Sequence, residues 1–292
     1  MKIPPLKYLR PQTLDEAIGA LREHGDEAKV LAGGQSLIPL MSFRLANPSV
    51  LVDVTQVSGL SSVSRENGHV VVGAATRMRA VERHDEIRAA VPLIPPALAH
   101  VGHAVIRNRG TAGGSIAHAD PAAELPTVLT ALGGSVVAQG PGGRRELLAE
   151  EFFIGPLTTA LAEDEVLTQV RFPVVPAGTG VGVEELARRH GDFAIALAVA
   201  AIHIDTAGRI DLAHVGVGGL DQVPRRLRNV EALLVGQEAS DEVVATAASQ
   251  TADAIKPSDD VHASATYRRQ VAGVVVARAV KKAIANAREV SQ

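Results

Sequence analysis

The chain has 292 residues, 46% of them hydrophobic, which is enough for a sizeable core and, at typical domain sizes, for two or three packed lobes. Its net charge of −3 and its scattered basic residues argue against a nucleic-acid surface. The absence of cysteine excludes disulfides, a cysteine nucleophile and any iron–sulfur cluster held by the chain's own thiolates. It also favours a cytoplasmic location.

No membrane-targeting or membrane-spanning segment is predicted. Residues 1–7 contain no apolar core of the kind that a signal peptide requires. The most apolar stretch, residues 193–204, has about twelve residues, whereas a spanning helix needs about 20. Aromatic residues make up only 2% of the chain, so a planar ligand would be held mainly by backbone and aliphatic groups.

The first 57 residues alternate between helix and strand. Thr13 and Glu16 have the spacing of a capping box, and apolar residues then recur at helical spacing until Gly25. Short apolar runs at 29–32 and 50–54 predict two strands. This pattern indicates a small α/β lobe.

A second pattern begins after residue 57 and favours an α+β lobe. Pro173–Gly180, rich in proline and glycine, is the best linker candidate, and Gly140–Gly143 has the composition of a hairpin turn. Strands are predicted at 70–72, 135–137 and 166–172, and helices near 93–103 and 124–132.

The rest of the chain places strands before helices, which is typical of a separate α+β lobe. We predict strands at 193–204 and 209–217 and helices near 241–255 and 265–288. The predicted domains are therefore 1–57, 58–176 and 177–292.

Two glycine-rich segments carry the main functional signal. Leu31–Leu37 and Gly110–Ile116 each contain a Gly–Gly pair followed by small polar residues. Glycines let a ligand approach the backbone, so consecutive amides can converge on an anion. Hydroxyl groups of Ser36, Thr111 and Ser115 would add donors.

A single Gly–Gly pair is more often a plain turn than a ligand site. Two such loops, each beside an apolar strand or helix, could clamp a diphosphate from opposite sides without a lysine. Other phosphate motifs are absent from the sequence: Gly216–Asp221 lacks a third glycine at the required position, and no G-x-x-x-x-G-K occurs.

At these segments the sequence resembles the FAD-binding medium subunits of the xanthine dehydrogenase and carbon monoxide dehydrogenase family. Ala32–Leu37 matches the family's A-G-G-[HQ]-S-L loop, and Thr111–Ser115 matches its T-[IVA]-G-G-[NS] loop. The likeness covers essentially the whole chain. It includes the stretches Ile106–Gly110, Ala117–Pro126, Arg188–Ala194 and Tyr267–Gln270.

The resemblance implies an α+β chain of the PCMH-type FAD-binding fold, with an α/β N-terminal lobe and α+β middle and C-terminal lobes. FAD would lie extended between the first two lobes. The resemblance implies that the following residues bind it: Leu31, Ala32, Gly33, Gly34, Gln35, Ser36, Leu37, Val101, Thr111, Ala112, Gly113, Gly114, Ser115, Asp120, Glu124, Leu161 and Phe193.

Two of these residues have consequences of their own. Family members carry Phe or Tyr at the position of Phe193, near the flavin ring, although a Phe that begins an apolar strand is as often a core residue. Many members carry His where this chain has Gln35. Glutamine cannot attach FAD covalently as histidine does in related flavoproteins, so we predict non-covalent FAD.

Other chemically capable residues are weaker candidates. His100 and His103 have chelating spacing on a predicted helix but no visible third ligand, so no metal site is predicted. His118 and Asp120 could exchange protons, but the resemblance favours cofactor contact. The arginines at 225–228 and 268–269 are typical of solvated faces or subunit contacts.

The resemblance implies an electron-transfer subunit with no catalytic residue of its own. A large partner subunit would hold the molybdenum cofactor and a small one the iron–sulfur clusters, in a dimer of heterotrimers. FAD would then pass electrons to an external acceptor. Two alternatives remain, a stand-alone FAD oxidoreductase with its own substrate pocket and a flavin-binding or structural subunit without electron transfer.

Overall fold

A computed structural model describes residues 3–290, so Met1 and Lys2 of the N-terminal segment lie outside the described residues. The helices are α1 (Leu14–His24), α2 (Leu37–Ser42), α3 (Met78–Arg83), α4 (Asp85–Ala90), α5 (Ile94–Leu98), α6 (Ala104–Arg109), α7 (Ala112–His118), α8 (Glu124–Ala131), α9 (Ala149–Phe152), α10 (Arg228–Leu234), α11 (Asp241–Ser249), α12 (Thr251–Ala254) and α13 (Ala265–Val290). The strands are β1 (Lys7–Leu9), β2 (Ala28–Leu31), β3 (Val50–Asp53), β4 (Val63–Glu66), β5 (His69–Gly73), β6 (Ser135–Gly140), β7 (Gly143–Leu148), β8 (Phe153–Gly155), β9 (Thr158–Thr159), β10 (Val166–Pro173), β11 (Gly180–Leu186), β12 (Ala196–Ile204), β13 (Ile210–Gly218) and β14 (Arg225–Arg226).

The first sheet is parallel, in the order β1-β3-β2, with β3 buried along its whole length. Helix α1 begins at the predicted capping box, in which the Glu16 amide donates to Thr13 Oγ1 at 3.2 Å and the Thr13 amide donates to Glu16 Oε2 at 3.4 Å. Ala17, Ile18 and Leu21 form its buried face. The predicted α/β character of this region follows from these parallel strands and their helical connections.

The second sheet is antiparallel, in the order β4-β5-β10-β6-β7. The predicted hairpin is confirmed, because Gly140 pairs with Gly143 where β6 turns into β7. Every residue of helix α8 is buried. That helix lies against β13 of the next sheet, where a Cβ at Gly216 would come within 2.5 Å of the Ala131 Cβ.

The third sheet, β11-β12-β13-β14, is also antiparallel and is covered by the long helix α13. Gly180 and Gly182 allow this close packing, because a Cβ at either position would collide with the backbone of α13 at Ala283 or Ala279. A layer of helices over an antiparallel sheet agrees with the α+β class predicted for this region.

Several predicted elements have different bounds in the structure. The helix predicted at 93–103 covers only Ile94–Leu98, and the chain turns at Gly102, with a φ of 45°, before α6 begins. The strand predicted from residue 193 begins at Ala196. The domain boundaries at 57 and 176 stay predictions. Across residues 3–290 no helix combines the length and the hydropathy needed to cross a membrane.

Candidate cofactor site

The first glycine segment leaves consecutive backbone amides open. It joins the end of β2 to the start of α2, and Gly34 takes a φ of 73°, a conformation that favours glycine. Within residues 3–290, the amides of Gly33, Gly34, Gln35 and Ser36 donate to no protein acceptor, and all four residues are only half-buried. Successive amides without a protein acceptor can converge on an anion, so this segment is suited to an anionic ligand.

The second glycine segment is not the loop that we predicted. Thr111 is the N-cap of helix α7, and its Oγ1 accepts from the Gly114 amide at 3.0 Å. The Ala112 and Gly113 amides donate to carbonyl oxygens of Thr76 and Ala74, both at 2.9 Å. The expectation that amides of this segment converge on an anion is therefore wrong, since the protein already uses them.

What the second segment retains is a hydroxyl donor. The Ser115 side chain is half-buried, and its hydroxyl has no hydrogen-bond partner in the described part of the chain. Ser36 of the first segment is also half-buried, and its hydroxyl has no hydrogen-bond partner within residues 3–290. The two segments thus offer a ligand four amides from one side and a hydroxyl from each side.

The two segments lie against each other. A Cβ at Gly33 would come within 2.5 Å of the Arg109 carbonyl oxygen and 2.6 Å of the Gly110 Cα, so only glycine allows this approach. The Arg77 guanidinium donates to the same Arg109 carbonyl oxygen. Arg77 was not predicted as part of the site; a half-buried arginine before a short helix gives no sequence signal for this contact.

Gln35 is tied to its own segment. Its Nε2 donates to the Gly33 carbonyl oxygen at 3.2 Å, which fixes the side chain beside the open amides. An amide side chain has no nucleophilic ring nitrogen, so a covalent flavin link through this position is chemically excluded.

Glu124 is the most perturbed acid near these segments. Burial raises its pKa to about 8, and the nearby carboxylates of Glu185 and Asp120 act in the same direction. Asp120 itself accepts the Ala122 amide at 2.9 Å through Oδ1. Glu185 was missed in the sequence, because only the packing of β11 against the middle lobe brings it close.

The remaining predicted contacts differ in exposure. Val101 and Leu161 are half-buried and pack against the largest core cluster. The side chain of Phe193 is 69% exposed, and it precedes the strand that it was expected to begin. The reading of Phe193 as a core residue is therefore wrong.

The predicted helical histidine pair does not exist. His100 and His103 lie in the turn between α5 and α6. The His100 Nδ1 lies 3.7 Å from Glu185 Oε2, and the His103 ring stacks on His190 with centroids 6.2 Å apart. No group of three or more potential metal ligands occurs within residues 3–290.

His118 and Asp120 form no acid–base pair in the described structure. Hydrogen bonds between their side chains are absent from residues 3–290. Burial lowers the pKa of His118, and the charge of Asp120 opposes that shift without reversing it. The two side chains are therefore not arranged to exchange a proton with each other.

Of the arginines predicted on solvated faces or at subunit contacts, Arg268 is buried and Arg226 is half-buried. Arg226 bonds to Glu231 at 2.9 Å and to His214 Nδ1 at 2.8 Å. Arg268 is 5% exposed and bonds to main-chain carbonyl groups. The prediction of solvated faces is wrong for these two, because runs of arginine do not reveal which member turns inward.

The arrangement fits a dinucleotide cofactor. A cradle that only glycine can line, four open amides and two free hydroxyls meet where the first two sheets adjoin. Such a site binds a diphosphate through backbone dipoles and needs no lysine. Fold and site together define a dinucleotide-binding α+β protein.

Comparison with known proteins identifies the family. Residues 4–175 match the FAD binding domain in molybdopterin dehydrogenase, and residues 182–283 match the CO dehydrogenase flavoprotein C-terminal domain. The chain is 37% identical over 288 residues to the 6-hydroxypseudooxynicotine dehydrogenase complex subunit alpha of Paenarthrobacter nicotinovorans, covering 99% of this chain and 97% of the relative.

Solved structures give the same result. A chain of carbon monoxide dehydrogenase from Hydrogenophaga pseudoflava superposes with a TM-score of 0.94 at 34% identity, covering 98% of this chain and 99% of that one. A chain of quinoline 2-oxidoreductase from Pseudomonas putida 86 gives 0.92 at 36% identity, with 98% and 99% covered. This chain therefore belongs to the FAD-binding medium subunits of the molybdenum hydroxylases. It is an oxidoreductase subunit whose cofactor is FAD, and the predicted α+β FAD-binding fold is confirmed.

Proposed function

We propose that this chain is the electron-transfer subunit of a molybdenum hydroxylase. It takes electrons from iron–sulfur clusters on a small partner subunit and passes them to an external acceptor, while a large partner subunit oxidises the substrate at a molybdenum cofactor. The observation that carries the cofactor part is the run of four open amides at Gly33–Ser36, packed against the second glycine segment. The absence of cysteine supports the need for partners, because the chain has no thiolate for a cluster.

In this proposal the chain's own residues bind and orient FAD. Leu31–Leu37 hold the diphosphate through main-chain amides and the Ser36 hydroxyl. Thr111–Ser115 close the other side, with the Ser115 hydroxyl as donor and the glycines allowing close approach. When bound, FAD supplies both one-electron and two-electron redox chemistry at its ring.

The flavin end is assigned to residues beyond the glycine segments. Val101 and Leu161 offer half-buried aliphatic surface, and the exposed ring of Phe193 is free to lie against another planar group. Asp120 and Glu124 complete the proposed set. Burial keeps Glu124 neutral over much of the physiological pH range, so it can donate a hydrogen bond to a ligand.

The partners and their arrangement are also part of the proposal. The relatives are named as subunits or chains of dehydrogenases and hydroxylases, which supports assembly with a small and a large subunit. We propose a dimer of heterotrimers in the cytoplasm with non-covalent FAD. Gln35 supports the non-covalent attachment, and acid or denaturant should therefore release all the flavin.

The test is electron flow through the assembled complex. The complex is purified through a tag on this chain, analysed for iron, molybdenum and flavin, and depleted of FAD. After chemical reduction, the clusters of the FAD-depleted complex should stay reduced when a dye acceptor is added, and added FAD should restore their oxidation. Cluster oxidation at the same rate without FAD would contradict the proposal.

The isolated chain distinguishes the alternatives. We expect it to bind FAD and to oxidise no organic donor without partners. Turnover of a donor by the isolated chain would favour a stand-alone oxidoreductase. Flavin that reduced partners cannot bleach would favour a subunit without electron transfer.

A further inference from the structure

Arg268, near the start of α13, cross-links three segments from a buried position. Only 5% of its surface is exposed. Its Nη1 donates to the Ile195 carbonyl oxygen at 2.6 Å and also to the Gly219 carbonyl oxygen. Its Nη2 donates to Asp260 Oδ2 at 2.6 Å. The planar fork of a guanidinium is suited to such divergent acceptors, and a lysine ammonium is not.

One of these contacts leads to the middle lobe. The Gly219 amide donates to the Pro121 carbonyl oxygen at 2.8 Å. Gly219 has a φ of 69°, and a Cβ there would lie 2.8 Å from the Ala194 carbonyl oxygen, so the junction has no spare room. Any shift of Gly219 is therefore passed to Pro121, which lies between Asp120 and Glu124.

A second contact leads to Phe193. Ile195 follows it by two residues and is held from both sides, because its amide donates to the Leu186 carbonyl oxygen at 2.8 Å. Phe193 itself is 69% exposed and gains little support from the core. Its position depends on the backbone next to it, which the Arg268 guanidinium fixes.

Packing alone does not account for a charge at this position. Within the described residues the Nε of Arg268 is buried without an acceptor, which is an energetic cost. Well-packed apolar side chains often replace buried ionic groups without loss of stability. The divergent hydrogen bonds are what an apolar side chain would lack.

We propose that Arg268 is a positioning residue for the flavin. Through Ile195 it sets the backbone of Phe193, and through Gly219 it sets the segment that carries Asp120 and Glu124. In this proposal Arg268 acts through these two segments and makes no direct contact with FAD. The inference rests on the proposed function, which assigns these two segments to the flavin end of the site.

The test compares Arg268→Lys and Arg268→Met with Arg269→Met in the full chain. Arg269 is adjacent, exposed and without a hydrogen bond in residues 3–290, so it is a matched control. We expect both Arg268 variants to weaken FAD binding about tenfold, within the range typical of residues that act on a site without touching its ligand, and to alter the visible circular dichroism of the bound flavin at saturating FAD. The control should match the wild type in both measurements.

Asp260→Asn provides a milder perturbation if the Arg268 variants do not fold. Its side chain can still accept the His262 and Ala263 amides, but it loses the charge that orients the guanidinium. We expect a smaller change in the same dichroism band. A folded variant that loses only thermal stability, with unchanged FAD affinity and flavin dichroism, would overturn the proposal. Failure of the wild type to bind FAD would instead overturn the proposed function.

Discussion

The two glycine segments look alike in sequence but differ in how they use their backbone. Gly33 and Gly34 belong to a connection whose amides have no acceptor in residues 3–290. Gly113 and Gly114 open a helix whose amides bond to Ala74 and to the Thr111 side chain. One pair leaves donors for a ligand, and the other lets two parts of the middle lobe pack closely.

The difference shows that a Gly–Gly pair indicates close approach without saying what approaches. At Gly113 the neighbour is the backbone of Ala74, with the Ala74 Cα 2.7 Å from where a Cβ would lie. At Gly33 the neighbour is the other glycine segment, and the open amides remain beside it. We infer that the N-terminal lobe provides the amide donors, while the middle lobe satisfies or neutralises its own polar groups.

The largest expected effect is on the pH dependence of stability, and it tests whether the Glu124 carboxyl is neutral in the folded chain. Burial raises its pKa from 4.5 to about 8, so the folded state holds the proton more tightly than the unfolded state. Proton binding by Glu124 therefore favours the folded state. Its contribution to the free energy of unfolding is fully present below pH 4.5 and is lost as the pH rises through about 8. At about 1.4 kcal/mol per pKa unit, the total is about 5 kcal/mol.

Denaturant unfolding of the apo chain at pH 5.5 and at pH 8.5 measures the effect. Between these two values Glu124→Gln should gain about 3 kcal/mol of stability relative to the wild type. Glu163→Gln is the control, because Glu163 is exposed and forms no hydrogen bond within residues 3–290. Parallel pH profiles for Glu124→Gln and the wild type would refute the neutral carboxyl.

The next effect separates the two glycine pairs directly. Gly113→Ala forces a Cβ against Ala74 inside one lobe and should cost about 2 kcal/mol of unfolding free energy. Gly33→Ala pushes the two segments apart, so it should lower FAD affinity by a larger factor than it lowers stability. Apo-chain unfolding and FAD titration measure the two quantities.

Gly19→Ala is the control for both variants. Gly19 lies within α1, and nothing lies within 4 Å of a Cβ placed there. Alanine at this position should therefore stabilise the chain, by up to about 1 kcal/mol, and leave FAD binding unchanged. If Gly33→Ala destabilised the apo chain and left FAD affinity intact, the division of roles would be wrong.

Local patterns in the sequence predicted much of the fold. The capping box at Thr13 and the hairpin at Gly140–Gly143 depend on neighbouring residues, and both are confirmed. Strand β11 escaped prediction, because Gly180 and Gly182 weaken a strand pattern, and their role is visible only where β11 packs against α13. Local sequence patterns do not show which residues are buried by elements that are distant along the chain.

The site could be predicted less completely. The residue types of both glycine segments indicated a phosphate site, but the engagement of the Gly114 amide depends on the helix that begins at Thr111. Glu185 gave no signal, and Arg268 was predicted only as a solvated or subunit-contact residue, since only tertiary packing brings the two near the middle lobe. The sequence shows which residue types are present, whereas the hydrogen-bond partners of those residues depend on the fold.

A smaller effect on stability is expected when the side-chain acceptor of the Gly114 amide is removed. Thr111→Val keeps the shape of the side chain but removes the hydroxyl that accepts the Gly114 amide, and an N-cap of this kind contributes about 1 kcal/mol. Thr13→Val removes the corresponding cap of α1. We expect similar losses of stability in apo-chain unfolding, with weaker FAD binding only for Thr111→Val. Equal FAD affinities in the two variants would separate the α7 cap from the site.

The smallest effect compares the two free hydroxyls. Ser36 and Ser115 each lack a side-chain partner in residues 3–290, so replacement by alanine should leave the stability of the apo chain almost unchanged. If each hydroxyl donates one neutral hydrogen bond to the diphosphate, each substitution should weaken FAD binding about fivefold. Ser61→Ala, at an exposed serine outside the site, is the control in the same titration.

A double variant with Ser36→Ala and Ser115→Ala tests whether both segments bind the same ligand at once. Ser36 and Ser115 belong to different segments and share no protein partner, so their effects on FAD affinity should multiply to about 25-fold. If Ser115→Ala alone had no effect, the middle lobe would act through close packing only, and every donor to the diphosphate would come from the N-terminal lobe. The two segments would then have separate roles: the first would bind the diphosphate, and the second would only allow close packing.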